Sequence, residues 1–399
     1  MKTISKGGPR AFHIMAKPTG SACNLSCRYC FFLEKERLYP GVRTRMDEEV
    51  LRAYISQYIE AQQVPEVTIA WQGGEPTLMG LDFFRRSVEI ADECAPRGTS
   101  VSYTMQTNGT LLDEEWCDFL RDSRFLVGLS LDGPREMHDA YRRDRQGRPT
   151  FDKVVKAACL LQERGVDVNI LCAVNAANAG HPLEVYRFFR DEMGIEWIQF
   201  LPIVERINED GTTLLQQGDT VTDRSVRPDR WGAFLQGVFE EWLRCDVGKV
   251  HVNFFEAAFA SWVGAPAMLC IFDGTCGNAM ALEYNGDLYS CDHFVEPDYL
   301  LGNIMQEPLA RLAASDRQRS FGEAKRDALP GFCRDCDVLF ACRGECPKNR
   351  FRSTPEGEPG LNYLCEGYRT FFHGIDAPMK VMVRLYKSGR SPAEVMEVL

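Results

Sequence analysis

Short apolar segments alternate with amphipathic segments along the first 245 residues of the chain. Six apolar segments, rich in β-branched and aromatic residues, predict β-strands at residues 12–16, 67–71, 101–106, 126–131, 168–174 and 197–201. Most of them are apolar throughout, which is typical of strands that helices cover on both faces. The pattern therefore predicts a parallel sheet inside a layer of helices.

Helices are predicted between the strands, at residues 47–61, 81–94, 113–122, 151–164 and 182–193. Asp47 and Asp113 each stand at the start of one helix, where a carboxylate can accept hydrogen bonds from free backbone N–H groups. Six β/α units predict an α/β fold, a partial (β/α)6 TIM-like barrel. In such folds the reacting groups lie at the carboxyl ends of the strands.

The chain changes character after residue 250, where strands become short, turn signals such as Asn285-Gly286 appear and cysteines become dense. We predict three parts: the barrel at 1–245, a small cysteine-rich domain at 251–375, and a helical tail at 376–399 whose last helix starts at Pro392. Residues 204–228 form a long polar connection, which we interpret as a lid or docking loop.

Composition and charge argue against several classes of protein. Hydrophobic residues make up 45% of the chain and charged residues 26%, which is ordinary for a globular protein. The net charge of −11 argues against a nucleic-acid partner, because duplex binding needs a basic face. The sequence shows no membrane span, and residues 1–10 do not resemble a signal peptide. We therefore expect a cytoplasmic protein without a membrane partner.

The chain contains sixteen cysteines, which in a reducing compartment are more often metal ligands than disulfide partners when they are grouped. Cys23, Cys27 and Cys30 directly follow the first predicted strand with the spacing C-x3-C-x2-C. Three thiolates can hold three irons of a [4Fe–4S] cluster, and the fourth iron then stays open to a small molecule. A three-cysteine zinc site and three buried free cysteines are the alternatives.

Two further groups of residues point to chemistry. The turn Gly73-Gly74-Glu75 follows the second predicted strand, and its glycines let the backbone approach a ligand closely; a plain turn is the alternative. Eight cysteines after residue 269 suffice for two more [4Fe–4S] clusters, although zinc sites built from four cysteines have similar spacings. The other five cysteines are predicted to fill the core: Cys94, Cys117, Cys159, Cys172 and Cys245.

The cysteine triplet resembles the signature of the radical S-adenosylmethionine (SAM) superfamily, in which SAM binds the open iron. The resemblance implies that Tyr29 and the turn Gly73-Gly74-Glu75 bind SAM, the turn at its amino group. It also implies SAM contacts from Ser130 and from the backbone of Leu201, which end the fourth and sixth predicted strands. Asn108, after the third strand, is expected to face substrate or SAM, and an asparagine of a plain turn is the alternative.

The later cysteines are similar to the SPASM extension of that superfamily, through the spacing C-x2-C-x5-C-x3-C that begins at Cys333. The resemblance implies two auxiliary [4Fe–4S] clusters, and therefore three clusters in all. It assigns auxiliary cluster I to Cys270, Cys276, Cys291 and Cys346, and auxiliary cluster II to Cys333, Cys336, Cys342 and Cys365. The spacing alone does not determine this pairing.

Within the superfamily, the chain resembles the anaerobic sulfatase-maturating enzymes at residues 17–25, 199–205, 225–228 and 289–293. These enzymes oxidise a cysteine or serine of a nascent sulfatase to Cα-formylglycine. The resemblance implies that Asp292 is the general base for the thiol or hydroxyl proton, while a 5′-deoxyadenosyl radical takes a Cβ hydrogen. It also places Gln72 and Phe32 in the substrate pocket, and implies a monomer served by a flavodoxin- or ferredoxin-type electron donor.

Two other classes of protein remain open. A SPASM enzyme that crosslinks ribosomal peptides would share these cysteines and the SAM site. Such enzymes often carry an N-terminal peptide-binding domain, and only about 11 residues precede the first predicted strand. A non-catalytic electron-transfer or zinc scaffold protein is disfavoured by the three-cysteine site and the Gly73-Gly74-Glu75 turn. We also expect Arg142 either to pair with a carboxylate of SAM or substrate or to lie on the surface.

Overall fold

The six predicted strands are all present in the computed structural model, which describes residues 11–39, 45–213 and 217–398. They are β1 (His13–Lys17), β2 (Glu66–Trp71), β3 (Ser100–Thr107), β4 (Phe125–Ser130), β5 (Asp167–Val174) and β6 (Trp197–Pro202). The later strands are β7 (Arg206–Ile207), β8 (Thr220–Val221), β9 (His251–Val252), β10 (Ala279–Glu283), β11 (Asp287–Tyr289), β12 (Leu300–Asn303), β13 (Arg352–Ser353) and β14 (Pro359–Leu361). Residues 1–10, which do not resemble a signal peptide in sequence, lie outside the described residues.

Fifteen α-helices are present in the described part of the chain, and five of them are the helices predicted between the first six strands. They are α1 (Phe31–Glu34), α2 (Glu48–Ala61), α3 (Leu81–Cys94), α4 (Glu114–Asp122), α5 (Arg135–Tyr141), α6 (Phe151–Glu163), α7 (Pro182–Arg187), α8 (Pro228–Cys245), α9 (Asn253–Val263), α10 (Leu309–Ala313), α11 (Asp316–Asp327), α12 (Gly331–Arg334), α13 (Leu339–Cys342), α14 (Cys365–Lys387) and α15 (Val395–Val398). Asp47 and Asp113 cap α2 and α4 as predicted, each accepting a hydrogen bond from a backbone N–H in the first turn.

The largest sheet has ten strands in the order β12-β11-β10-β1-β2-β3-β4-β5-β6-β9. The strands from β10 through β1 to β9 are parallel, and β11 and β12 continue the sheet antiparallel. This is the predicted α/β class, a partial (β/α)6 barrel with a cysteine-rich region and C-terminal helices. None of the helices in the described ranges is long and apolar enough to cross a bilayer.

The cysteine-rich region shares this sheet with the barrel. β10 pairs with β1 over five residues, from His13 beside Ala279 to Lys17 beside Glu283. The predicted boundary between residues 375 and 376 falls inside α14, so the helix is continuous there. The last helix begins at Pro392 with a 3-10 turn that precedes α15.

Two glycines bring α8 and α14 into close contact. A Cβ atom built on Gly232 would lie 2.7 Å from the carbonyl oxygen of Gly367, and one on Gly367 would lie 2.2 Å from that of Pro228. Neither position therefore accepts a side chain without a shift of backbone. This contact fastens the helix that carries Cys365 to the barrel.

Candidate active site

The candidate site is a cleft of about 660 Å³ at the carboxyl ends of the barrel strands. Cys27 and Cys30 line it together with Glu205 and Arg224 from the segment that follows β6. The hairpin β7–β8 lies within the polar connection predicted at 204–228, of which residues 214–216 are outside the described ranges. Ile207 of this hairpin also lines the cleft.

Cys23, Cys27 and Cys30 lie in the loop between β1 and α1, where their thiols interact electrostatically with one another. Burial raises the pKa of Cys23 to about 11 and that of Cys27 to about 12. Thiols in such surroundings lose their protons only beside a strong positive charge, which a bound metal provides. The donor set therefore fits an iron–sulfur cluster.

The turn after β2 packs directly on this cysteine loop. The backbone N–H groups of Gly74 and Glu75 donate to the carbonyl oxygens of Gly20 and Ala22, each at 2.8 Å. Gly73 has a φ of +123°, and a Cβ atom on Gly74 would lie 2.0 Å from the Ala22 oxygen. Glycine is required at both positions because the two backbones approach so closely.

The Glu75 carboxylate is buried and joins the ends of β2 and β3. It accepts hydrogen bonds from the N–H and hydroxyl of Thr77, from the hydroxyl of Thr107 and from the N–H of Asn108. Burial raises the pKa of Glu75, although these four hydrogen bonds oppose the shift. The side-chain amide of Asn108 in turn donates to Asn24 at 2.9 Å, so Asn108 contacts the cysteine loop.

Asp132, a residue that the sequence interpretation passed over, connects the cysteine loop to the ends of β4 and β5. Its carboxylate accepts a hydrogen bond from the Tyr29 hydroxyl and another from the N–H of Ala173 at 3.0 Å. Arg142 forms an ion pair with it at 3.0 Å, and its guanidinium lies 5.5 Å from the centre of the Tyr29 ring. Arg142 thus does not lie on the surface, which was one of its two expected placements, because its side chain is 11% exposed and pairs with buried Asp132.

Asp292 is buried in a single 3-10 turn that directly follows Cys291. Its carboxylate forms an ion pair with Lys17 of β1, whose ammonium lies 3.8 Å from the centre of the Phe32 ring. Burial acts to raise the pKa of Asp292, but the nearby charges, that of Lys17 first, lower it overall. The structure thus brings Asp292 and Phe32 together, with Lys17 between them.

Several further ionisable groups surround this ion pair. Burial raises the pKa of Glu283 to about 7, against the opposing charge of Lys17. Burial lowers the pKa of Lys35 to about 8, and its ammonium donates to the carbonyl oxygen of Val295 at 3.0 Å. Burial also lowers the pKa of His293 to about 3, so this imidazole is neutral at physiological pH. Lys17 and Glu283 were not identified from the sequence.

The eight later cysteines meet in two sets. Electrostatic interactions link Cys270, Cys276, Cys291 and Cys346 to one another, and separately link Cys333, Cys336, Cys342 and Cys365. These sets coincide with the two ligand sets that the resemblance implies. Among the described residues, no three His, Cys, Asp or Glu side chains converge closely enough to hold a single metal ion. In a [4Fe–4S] cluster each thiolate binds a different iron, so its ligands stand around the cluster.

The remaining predicted residues differ in their burial. Ser130 is buried at the end of β4, whereas Leu201 on β6 is 36% exposed and therefore does not fill the core. Gln72 directly follows β2, and its backbone N–H donates to the carbonyl oxygen of Ala16 on the neighbouring strand β1.

Cys159 and Cys245 are exposed, so the expectation that they fill the core is wrong; each lies on the outer face of its helix.

Comparison with known proteins defines the class of this site. The Radical SAM superfamily matches residues 18–189, and the SPASM iron–sulfur cluster-binding domain matches residues 270–337. Together with the fold and the grouped cysteines, these two matches define a radical SAM enzyme with a SPASM domain. Its cofactors are accordingly SAM and iron–sulfur clusters.

Individual relatives narrow the class further. A serine-type anaerobic sulfatase-maturating enzyme of Bacteroides thetaiotaomicron is 44% identical, over 98% of this chain and 95% of the relative. A cysteine-type enzyme of Clostridium perfringens is 32% identical, over 90% of this chain and 95% of the relative. The solved structure of native anSMEcpe with bound AdoMet and Cp18Cys peptide has a TM-score of 0.82 and 31% identity, covering 93% of this chain and 98% of that one. The chain belongs to the anaerobic sulfatase-maturating enzymes.

Proposed function

We propose that the chain oxidises a cysteine or serine side chain of a sulfatase to Cα-formylglycine, in the reducing cytoplasm. The observation that carries this proposal is the buried carboxylate of Asp292, which directly follows Cys291 and pairs with Lys17, the residue whose ammonium lies over the Phe32 ring. A general base for the substrate proton must lie within about 3 Å of it. A solvent-shielded carboxylate at the end of the barrel is suited to that task.

The three cysteine groups are proposed to hold three [4Fe–4S] clusters. Cys23, Cys27 and Cys30 would leave one iron open to SAM, and the two sets of four would ligate their clusters fully. The Glu75 carboxylate is already bound by four protein donors. The backbone carbonyl groups of Gly73 and Gly74 are therefore proposed to accept from the SAM amino group, and Ser130 and Leu201 to contact the rest of the cofactor.

The chain's own residues then have separate tasks. When bound, SAM and the clusters supply the radical that removes one Cβ hydrogen atom and the acceptor for one electron. Asp292 accepts the proton from the serine hydroxyl or cysteine thiol, and Phe32 and Gln72 position the side chain. Loss of one hydrogen atom, one proton and one electron converts serine into the aldehyde. Cysteine gives a thioaldehyde, which water hydrolyses with release of hydrogen sulfide.

The test is anaerobic turnover of the reconstituted enzyme with SAM, a flavodoxin- or ferredoxin-type electron donor and a sulfatase-derived peptide. Mass spectrometry should show a loss of about 2 Da from a serine peptide or about 18 Da from a cysteine peptide. A hydrazide reagent should label the product, since only an aldehyde reacts. A peptide with alanine at the target position serves as the control.

A serine peptide that loses about 2 Da without hydrazide labelling would instead indicate a crosslink, the product of a ribosomal-peptide maturase. Absence of 5′-deoxyadenosine from enzyme with intact clusters would contradict enzymatic function of either kind. The proposal further includes a monomeric enzyme, which sedimentation of the holoprotein measures directly.

A further inference from the structure

Lys17 is a fully buried cation that the proposed chemistry does not use. It is the last residue of β1, and its side chain is 0% exposed. Complete burial of a lysine is rare because the ammonium loses its hydration, so such a residue needs a compensating partner. Its partner is the Asp292 carboxylate, with which it forms a buried ion pair.

The path of the Lys17 side chain is fixed on several sides. A Cβ atom built on Gly73 would lie 3.0 Å from the Lys17 Cβ and 3.2 Å from its Cγ, so the glycine turn packs against the stem. The Phe32 ring covers the ammonium at 3.8 Å from its centre. Glu283 stands beside Lys17 on the neighbouring strand β10. Lys17 therefore contacts elements of the SAM turn and of the substrate pocket at once.

Asp292 has much weaker local support. It starts a three-residue 3-10 turn, Asp292–Phe294, which has no side-chain cap. A carboxylate on so short a turn can rotate unless another group holds it. Lys17, at the end of strand β1, donates to its Oδ1 atom and not to Oδ2.

This inference rests on the proposed function: we propose that Lys17 is a positioning residue, which holds the Asp292 carboxylate in the orientation that accepts the substrate proton. Lys17 itself transfers no proton and touches no reacting atom. Its contribution is to geometry, and a displacement of about 1 Å in a reacting group can reduce a rate about 100-fold.

The experiment compares reconstituted holoenzymes that carry Lys17→Met, Lys17→Arg, Asp292→Asn, or both Lys17→Met and Asp292→Asn. Lys153→Met, the same change at an exposed lysine of α6, is the matched control. Three quantities are measured: iron content, the dissociation constant of a fluorescent sulfatase peptide, and the ratio of formylglycine to 5′-deoxyadenosine. The first two need no turnover.

We expect Lys17→Met to keep its iron and to bind peptide within about twofold of the wild type, while the product ratio falls about 10- to 100-fold. Lys17→Arg should recover part of the loss, because it restores a cation that can bind the carboxylate. The double variant should be no worse than Asp292→Asn alone, since the two residues act as one unit.

If Lys17→Met gives the wild-type ratio of formylglycine to 5′-deoxyadenosine, the proposal is overturned. It is also overturned if the double variant lowers that ratio by the product of the two single-variant effects. Parallel loss of iron and peptide binding would assign Lys17 a merely structural task and overturn it as well. Should the methionine variant fail to fold, Lys17→Gln takes its place with the same expectations. If the wild-type enzyme makes no aldehyde, the proposed function fails, whatever the variants do.

Discussion

The hydroxyl of Tyr29 donates a hydrogen bond to the buried carboxylate of Asp132. Tyr29 lies between Cys27 and Cys30, whereas Asp132 follows β4, so the contact ties the cysteine loop to the middle of the barrel. Arg142 completes the group by pairing with the same carboxylate. The position of the cysteine loop relative to the ends of β4 and β5 therefore depends on this bond.

Replacing Tyr29 with phenylalanine tests that dependence. The change leaves a buried carboxylate short of one donor, and a hydrogen bond to a charged group contributes about 1.5–3 kcal/mol. We expect a lower midpoint in anaerobic thermal unfolding and slower 5′-deoxyadenosine formation. Tyr386→Phe, at a tyrosine that is 55% exposed, should match the wild type. Unchanged unfolding and cofactor cleavage in Tyr29→Phe would contradict the argument.

Asp292→Asn should abolish most formylglycine formation while cofactor cleavage continues in part. The amide cannot accept the substrate proton, and general base catalysis contributes about 10²- to 10⁴-fold. Peptide mass spectrometry and 5′-deoxyadenosine quantification measure the two outcomes. Asp298→Asn, at a nearby exposed carboxylate, is the control. An undiminished formylglycine yield in Asp292→Asn would refute its assignment as the base.

Glu283 predicts a pH dependence of stability. Its folded pKa is about 7, raised by burial from a usual value of 4.5. Because the folded pKa is raised, this group stabilises the fold fully below pH 4.5, and the contribution is lost as the pH rises to about 7. Wild-type enzyme should thus lose about 1–2 kcal/mol from this group between about pH 6 and pH 8.

Glu283→Gln removes the ionisation and should flatten that dependence. The free energy of unfolding of the variant, relative to that of the wild type, should therefore increase as the pH rises. Anaerobic denaturant unfolding of both proteins at the two pH values measures the difference. Glu60→Gln, at an exposed glutamate of α2, should keep the wild-type dependence. A difference between Glu283→Gln and the wild type that does not change with pH would show that Glu283 ionises normally.

Gly232→Ala should destabilise the contact between α8 and α14. The new methyl group would meet the backbone of Gly367 at 2.7 Å, and overpacking of this kind destabilises a fold by about 1–3 kcal/mol. This loss exceeds the gain of about 1 kcal/mol from the higher helix propensity of alanine. Gly374→Ala on α14 is the matched control, because its methyl group meets only the end of the flexible Gln236 side chain. Thermal unfolding should separate the two variants; equal midpoints would contradict the close-contact argument.

Local patterns account for what could be predicted from the sequence. The strands of the barrel are continuous apolar segments, and Cys23, Cys27 and Cys30 are close together in the chain, so both leave signals within short windows. The sequence does not predict β10, because its apolar run, Ala279–Leu282, is too short to distinguish from other segments. The prediction that Cys159 and Cys245 fill the core rests on residue type alone, and both cysteines are exposed in the structure.

The group around Asp292 could not be predicted in full for a different reason. Lys17 and Glu283 become neighbours only through the register of β1 with β10, and Lys17 reaches Asp292 across 275 residues of sequence. No local periodicity encodes such a meeting, because it depends on which strands pair. Asp132 and Arg142 are likewise joined by the turn of the chain after β4.

The pairing of β1 with β10 has a consequence for synthesis of the protein. β1 is synthesised more than 250 residues before β10, the strand that covers one of its edges at residues 279–283. Contacts between such distant segments form late, and an open strand edge attracts other chains. Until residue 283 has been translated, the loop that follows β1 therefore lies next to an uncovered strand edge, where we expect the nascent chain to be most prone to association.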